Sequence, residues 1–185
     1  VNLHKSIVVS CDTYYYGLAN DLGVDAIHRF MTPMGFGHKT GIDIDGELPG
    51  LQPSTDWKWQ RLKQKWYAGD TISVGIGQVY WLATPLQLAA AVATLANGGP
   101  PVPPRLVRGI QDARTQEVRE LAPRPRESLG IRPEHLELVR AAMIDVTRPG
   151  GTAVRAAQGA PYTVAGKTGT AQVVAMKAGE KYDEK

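Results

Sequence analysis

Residues 84–99, TPLQLAAAVATLANGG, constrain the fold more than any other stretch. Thr84 is a good N-cap, and Pro85 suits the first helical position because an N–H there would have no helical partner anyway. Asn97-Gly98-Gly99 supplies the stop. The helix between them is apolar on nearly every face, which predicts burial in a core. At about 14 residues it is too short to cross a bilayer. A helix of this kind needs other elements to cover it, and a chain of 185 residues that is 43% hydrophobic and 21% charged has enough apolar surface to do so.

Around it the pattern is mainly helical. The first stretch predicts a helix ending near Val9, a second from about Asp12 to Leu22 closed by Gly23, and a third over 25–34 ended by Gly35 and Gly37. Glycine and proline density over 39–69 predicts irregular structure with one short helix. Residues 101–128 carry surplus proline and arginine and are expected to form a surface excursion with one or two short strands. Apolar positions 136, 138, 139, 142, 143 and 146 fit an amphipathic helix over 132–147, and residues 162–174 read as a strand.

Charge and targeting features narrow the function classes. The net charge of +3 is scattered rather than gathered into a stripe, so nucleic acid is not an expected partner. A single cysteine, Cys11, makes no intrachain disulfide. There is no run of about 18 apolar residues and no signal peptide. The chain starts at Val1 and stops in KAGEKYDEK, and we expect it to be part of a longer protein.

The strand VAGKTGTAQVV, residues 164–174, is chemically odd. Gly166 and Gly169 weaken a strand, and glycine inside one marks a bulge or the close approach of another backbone. A lone Lys-Thr-Gly matches by accident in many proteins, as a surface strand with a solvated lysine. About 155 residues upstream, however, stands Ser10-Cys11-Asp12 at a helix junction, and the two together are two of the three marks of penicillin-recognising serine acyltransferases. Helix capping is the structural alternative for Ser10 and Asp12.

Taken in order, LHKSIVVSCDTYYYGLANDLGVD, FGHKTGIDIDGELPG, WYAGDTISVGIGQVYWLATPLQLAAAVATLANGG, GGTAVRAA and YTVAGKTGTAQV resemble the transpeptidase domain of class B penicillin-binding proteins, elongation-type, over nearly the whole chain. The resemblance implies an α+β fold of the penicillin-binding transpeptidase and serine β-lactamase kind: a mostly helical lobe plus one strand of the antiparallel sheet. It implies an acyl transfer in which a serine attacks the penultimate D-alanine carbonyl of a peptidoglycan stem peptide and passes the acyl group to an amine. In that reading Lys167 supplies positive field and helps bind the terminal carboxylate, with the Thr168 and Thr170 hydroxyls. The Thr170 N–H serves the oxyanion hole, and Gly169 lets an extended substrate lie alongside the strand. Ser10 relays a proton and Asp12 orders the network; the aspartate, where many relatives have asparagine, matches the elongation-type subgroup. The segment holding Gly75 and Gly77 shapes the active-site floor.

The family's nucleophile lies in S-x-x-K. The serines here are Ser6, Ser10, Ser54, Ser73 and Ser128, and none has lysine three residues on. The chain is therefore expected to lack the nucleophile and to be inactive alone. No cofactor is required by the resemblance. Some elongation-type relatives hold a structural zinc through a cysteine at the position of Cys11, with their other ligands before Val1; one thiol does not make a tetrahedral site. Implied partners are stem peptides ending in D-Ala-D-Ala, β-lactams and a glycosyltransferase of the elongation machinery, at the periplasmic face of the inner membrane, with an anchor preceding this chain.

Other readings stay open at this stage. A D,D-carboxypeptidase or β-lactamase shares the motifs but hydrolyses, a non-enzymatic β-lactam sensor stops at the acyl-enzyme, and a catalytically dead scaffold keeps only the fold. The third glycine of a G-x-G-x-x-G loop is replaced by Tyr80, which argues against nucleotide binding. DWKWQRLKQKWY, with Lys58, Arg61, Lys63 and Lys65 among Trp57, Trp59 and Trp66, reads as a solvated loop pinned by its tryptophans, or as a grip on a polysaccharide or nucleic acid.

Overall fold

Each helix starts where its local chemistry allows. In this computed structural model, which describes residues 1–101, 103–122 and 127–171, helix α1 spans Leu3–Val8 behind Asn2, whose side chain accepts from the Lys5 N–H at 2.9 Å. Helix α2 spans Asp12–Leu22 and is closed by Gly23 at φ +76°. Helix α3, Val24–Met31, is shorter than the 25–34 expected from sequence: it tightens into a 3₁₀ turn, Thr32–Met34. Pro33 lacks the N–H that another α-turn would need, which accounts for the change.

Helix α4, Thr55–Leu62, is the one short helix expected in the glycine- and proline-rich stretch, and the Ser54 hydroxyl caps it through the Trp57 N–H at 3.0 Å. Helix α5, Ala68–Gly75, was not expected. It is short, and Thr71, Ile72 and Val74 are poor helix formers, so packing must hold it. It lies against α2 so closely that a Cβ on Gly75 would stand 2.4 Å from the Cβ of Ala19.

Helix α6, Pro85–Ala96, begins with the expected cap: the Thr84 hydroxyl accepts from the Gln87 N–H, and the Gln87 side chain accepts from the Thr84 N–H. Its burial corrects the sequence reading. The inward face is Gln87, Ala91 and Thr94, whereas Leu88 is 52% and Val92 49% exposed. Leu88 instead borders an apolar groove of about 480 Å³ shared with Leu22 and Phe30. The helix turns its small and polar residues inward because the chain crosses it closely: Gln87 donates to the His38 and Pro49 carbonyls, each at 2.7 Å.

A hairpin of β1, Gly109–Gln111, and β2, Val118–Glu120, pairs Ile110 with Arg119 in antiparallel register. It is largely exposed, as the surface excursion was expected to be. Helix α7, Pro133–Val146, packs on α1: Ala142 and Val146 are fully buried against Ile7 and Val8. A second core gathers Met34, Phe36 and Ala91. Arg140 of α7 donates to the Leu95 and Ala96 carbonyls at the end of α6, satisfying groups the helix leaves open.

The strand expected over 162–174 has no ladder among the described residues, and 172–174 lie outside them. Strand character needs a paired neighbour, and here the segment is fastened to a helix instead. The Gly166 N–H donates to the Met143 carbonyl at 3.0 Å, and the Thr147 hydroxyl to the Val164 carbonyl at 2.7 Å. The end of α7 thereby carries the Lys-Thr-Gly segment to the turn between α1 and α2.

Candidate active site

That turn is built on backbone strain. Ser10 adopts φ +53°, in the left-handed region that costs a non-glycine residue about 1–3 kcal/mol and that gathers at functional sites. The strain lets α1 end and α2 begin within three residues. Capping, the structural alternative for Ser10, is not its role: Cys11 occupies the N-cap of α2 and makes no side-chain cap bond. The Ser10 hydroxyl instead accepts from the Lys167 ammonium at 2.8 Å, across 157 positions of sequence. Asp12 opens α2, where a carboxylate suits the positive end of the helix.

Lys167 also donates to the Thr168 carbonyl at 2.9 Å, and the hydroxyls of Thr168 and Thr152 lie 2.9 Å apart. The cleft so formed has a volume of about 370 Å³. Ser10 and Asp12 line one wall, residues 167–170 another, and Ile76 and Gln78 close it. Gln78 donates to the Thr170 carbonyl at 2.9 Å. Desolvation holds Lys167 below the ordinary lysine range, against the opposing pull of Asp12. A Cβ on Gly169 would meet nothing within 4 Å, so no internal packing demands glycine there; the space beside it is free for a ligand backbone.

Ser10, Asp12, Lys167, Thr168, Gly169 and Thr170 therefore line one cleft, which Cys11 does not enter; of the segment expected at the active-site floor, Ile76 and Gln78 reach the cleft, whereas Gly75 and Gly77 border the apolar groove. The Cys11 sulfur lies 3.3 Å from the Thr13 hydroxyl, a contact that holds the thiol below its ordinary range. Among the described residues no three His, Cys, Asp or Glu side chains gather to hold a metal. A single thiol does not fit a tetrahedral zinc site. Two residues escaped the sequence reading. Gln78 stands in GIGQ, the segment the resemblance sets at the active-site floor, and Thr152 in GGTAV, but neither side chain is marked by a motif and only the fold brings them to the Lys-Thr-Gly segment.

A helical lobe that holds a Ser-x-Asp turn against a Lys-Thr-Gly segment is the arrangement of penicillin-recognising transpeptidase domains. The chain belongs to this family: it matches the penicillin binding protein transpeptidase domain over residues 1–185. It is 45% identical to the peptidoglycan D,D-transpeptidase MrdA of Acinetobacter baumannii, over 100% of this chain and 27% of that relative. It is also similar to the crystal structure of Pseudomonas aeruginosa PBP2, at a TM-score of 0.83 and 40% identity, covering 94% of this chain and 39% of that one. The PBP2 of Helicobacter pylori in complex with MreC matches at a TM-score of 0.78 and 33% identity, over 94% of this chain and 30% of that one. The chain thus spans only about a quarter to two fifths of the length of these relatives.

Proposed function

We propose that this chain forms the Ser-x-Asp and Lys-Thr-Gly part of a serine D,D-transpeptidase that cross-links peptidoglycan stem peptides during cell elongation and is acylated by β-lactams. The observation that carries this reading is the 2.8 Å bond from Lys167 to Ser10, which joins the two motifs across one cleft beside the open edge at Gly169.

The chemistry follows from the groups present. A stem peptide ending in D-Ala-D-Ala lies along residues 168–170, its terminal carboxylate held by the Lys167 charge and the hydroxyls of Thr168 and Thr170. A serine of an S-x-x-K motif outside these 185 residues attacks the penultimate carbonyl. The Thr170 N–H stabilises the oxyanion, and Ser10 passes a proton toward the departing D-alanine amine as the C–N bond breaks. Asp12 orders this network and favours the charged form of Lys167 against the desolvation that lowers its pKa. The acyl group then moves to an amine of a neighbouring strand, and the serine is regenerated.

The H. pylori PBP2 solved with MreC supports a partner of the MreC kind for the whole enzyme, and a similar chain in a peptidoglycan synthase complex that coordinates polymerization and crosslinking supports a glycosyltransferase partner. Among the described residues no helix is long and apolar enough to cross a membrane. We place the parent at the periplasmic face of the inner membrane, held by a segment outside this chain.

The test is product analysis with the full-length enzyme and a pentapeptide donor plus an amine acceptor strand. Release of D-alanine together with cross-linked dimer is the expected result. Tetrapeptide without dimer would instead identify a carboxypeptidase, and a stable β-lactam adduct with no turnover of peptide a sensor.

A further inference from the structure

In DWKWQRLKQKWY the sequence suggests solvated lysines, whether in a loop or on a gripping surface, yet Lys58 is only 2% exposed. Its ammonium lies 2.5 Å from the Asp70 carboxylate and 5.0–5.6 Å from the ring centroids of Trp66, Tyr67 and Tyr80. The same Asp70 oxygen accepts from the Tyr67 N–H at 2.9 Å, and the Trp66 indole donates to Thr71 at 2.7 Å. A cation closed in by three rings and one carboxylate stays charged: the Asp70 bond raises its pKa against the desolvation that opposes it.

The box fastens both feet of an arch. Asp70 stands in the first turn of α5, and Tyr80 follows the turn that leaves it. Between them Gly77 and Val79 both take left-handed backbone, at φ +74° and +66°. For a β-branched valine this is a true outlier, and it persists only where the surroundings overdetermine the chain. The strained turn sends Tyr80 into the box and Gln78 into the cleft, where its amide holds the Thr170 carbonyl. Buried ion pairs are poor sources of net stability but can fix one geometry among several.

We infer that Lys58 is a positioning residue for acyl transfer: by closing the base of the arch over 70–80 it holds Gln78, and through Gln78 the backbone at Thr170, in register with the reacting carbonyl. The inference rests on the acyl-transfer reading above. It gives the buried lysine, the aromatic box and the strained valine one common purpose.

The test is acylation of the full-length enzyme by a chromogenic β-lactam in stopped flow. Lys58→Met, which keeps the stem and removes the charge, is expected to lower the acylation rate constant about 10-fold with the preceding binding constant little changed. Gln78→Ala is expected to do the same, and the double variant to equal Gln78→Ala alone, because both act through one contact. A folded Lys58→Met enzyme acylated at the wild-type rate, or losses that multiply in the double variant, would overturn the inference. If Lys58→Met does not fold, Tyr80→Phe decides: it removes the hydroxyl beside Lys58 and is expected to slow acylation about threefold, and a wild-type rate would again overturn the inference. A wild-type enzyme that no β-lactam acylates would overturn the proposed function instead.

Discussion

Lys167→Ala in the full-length enzyme is expected to lower the second-order rate constant for β-lactam acylation by about 10²–10³-fold, the usual cost of removing one preorganised electrostatic group from such a site. Two losses combine. The Ser10 hydroxyl loses the cation bonded to it at 2.8 Å, and under the proposed function the ligand carboxylate loses its charged partner. Stability should change far less, because Lys167 lies on the cleft surface and not in either core. The sign of the pH dependence separates the two effects. Desolvation lowers the pKa of Lys167 from its ordinary 10.5, so its charge is lost as pH rises through that lowered value, and acylation falls there. Stability from this group runs the other way. The fold disfavours the charged form, so the penalty is fully present below the lowered pKa and is relieved as pH climbs toward the ordinary value. Asp12 opposes the depression, so Asp12→Asn is expected to move the alkaline limb of the acylation profile to still lower pH. A limb that stays in place in Asp12→Asn would separate Asp12 from the lysine.

Gln87→Leu is expected to destabilise the fold by about 2–4 kcal/mol, since it strips buried carbonyls of their donor while preserving bulk. Gln87 is 1% exposed, and its amide reaches the His38 and Pro49 carbonyls and, at 3.4 Å, that of Gly35. Its own oxygen caps Thr84. The loop it pins runs so close to the chain at Leu82 that a Cβ on Gly50, already at φ +62°, would lie 2.4 Å from the Leu82 carbonyl oxygen. Calorimetry of the full-length enzyme is expected to show a lower unfolding midpoint for this domain, by several degrees. A midpoint within a degree of wild type would show that those carbonyls find other partners.

How far the sequence reached depends on where each determinant lies. The caps of α6, the Gly23 stop and the apolar rhythm of α7 are local, within a few positions of the elements they control, and each was legible. The burial of α6 was not. Its inward face is Gln87, Ala91 and Thr94 because a loop from 35–50 crosses it, and no property of the helix alone announces that crossing. Helix α5 was missed for a related reason: its residues are indifferent helix formers, and it exists through contact with α2. Lys58 is not legible as buried because a lysine among lysines looks solvated, while its partners Asp70 and Tyr80 stand 12 and 22 positions away. That Ser10, Asp12 and Lys167 share one cleft was legible because short motifs name them. Gln78 and Thr152 carry no motif of their own and become visible only when α7 and the 75–80 turn bring them to the Lys-Thr-Gly segment.

The central claim is that this chain supplies the relay and carboxylate-binding half of an acyl-transfer site and that another segment supplies the nucleophile. The most direct measurement is to label the full-length enzyme with a penicillin, digest it and locate the adduct by mass spectrometry. The account predicts a single penicilloyl group on a serine outside residues 1–185, three positions before a lysine, and its loss of rate in Lys167→Ala. An adduct on Ser6, Ser10, Ser54, Ser73 or Ser128 would contradict it.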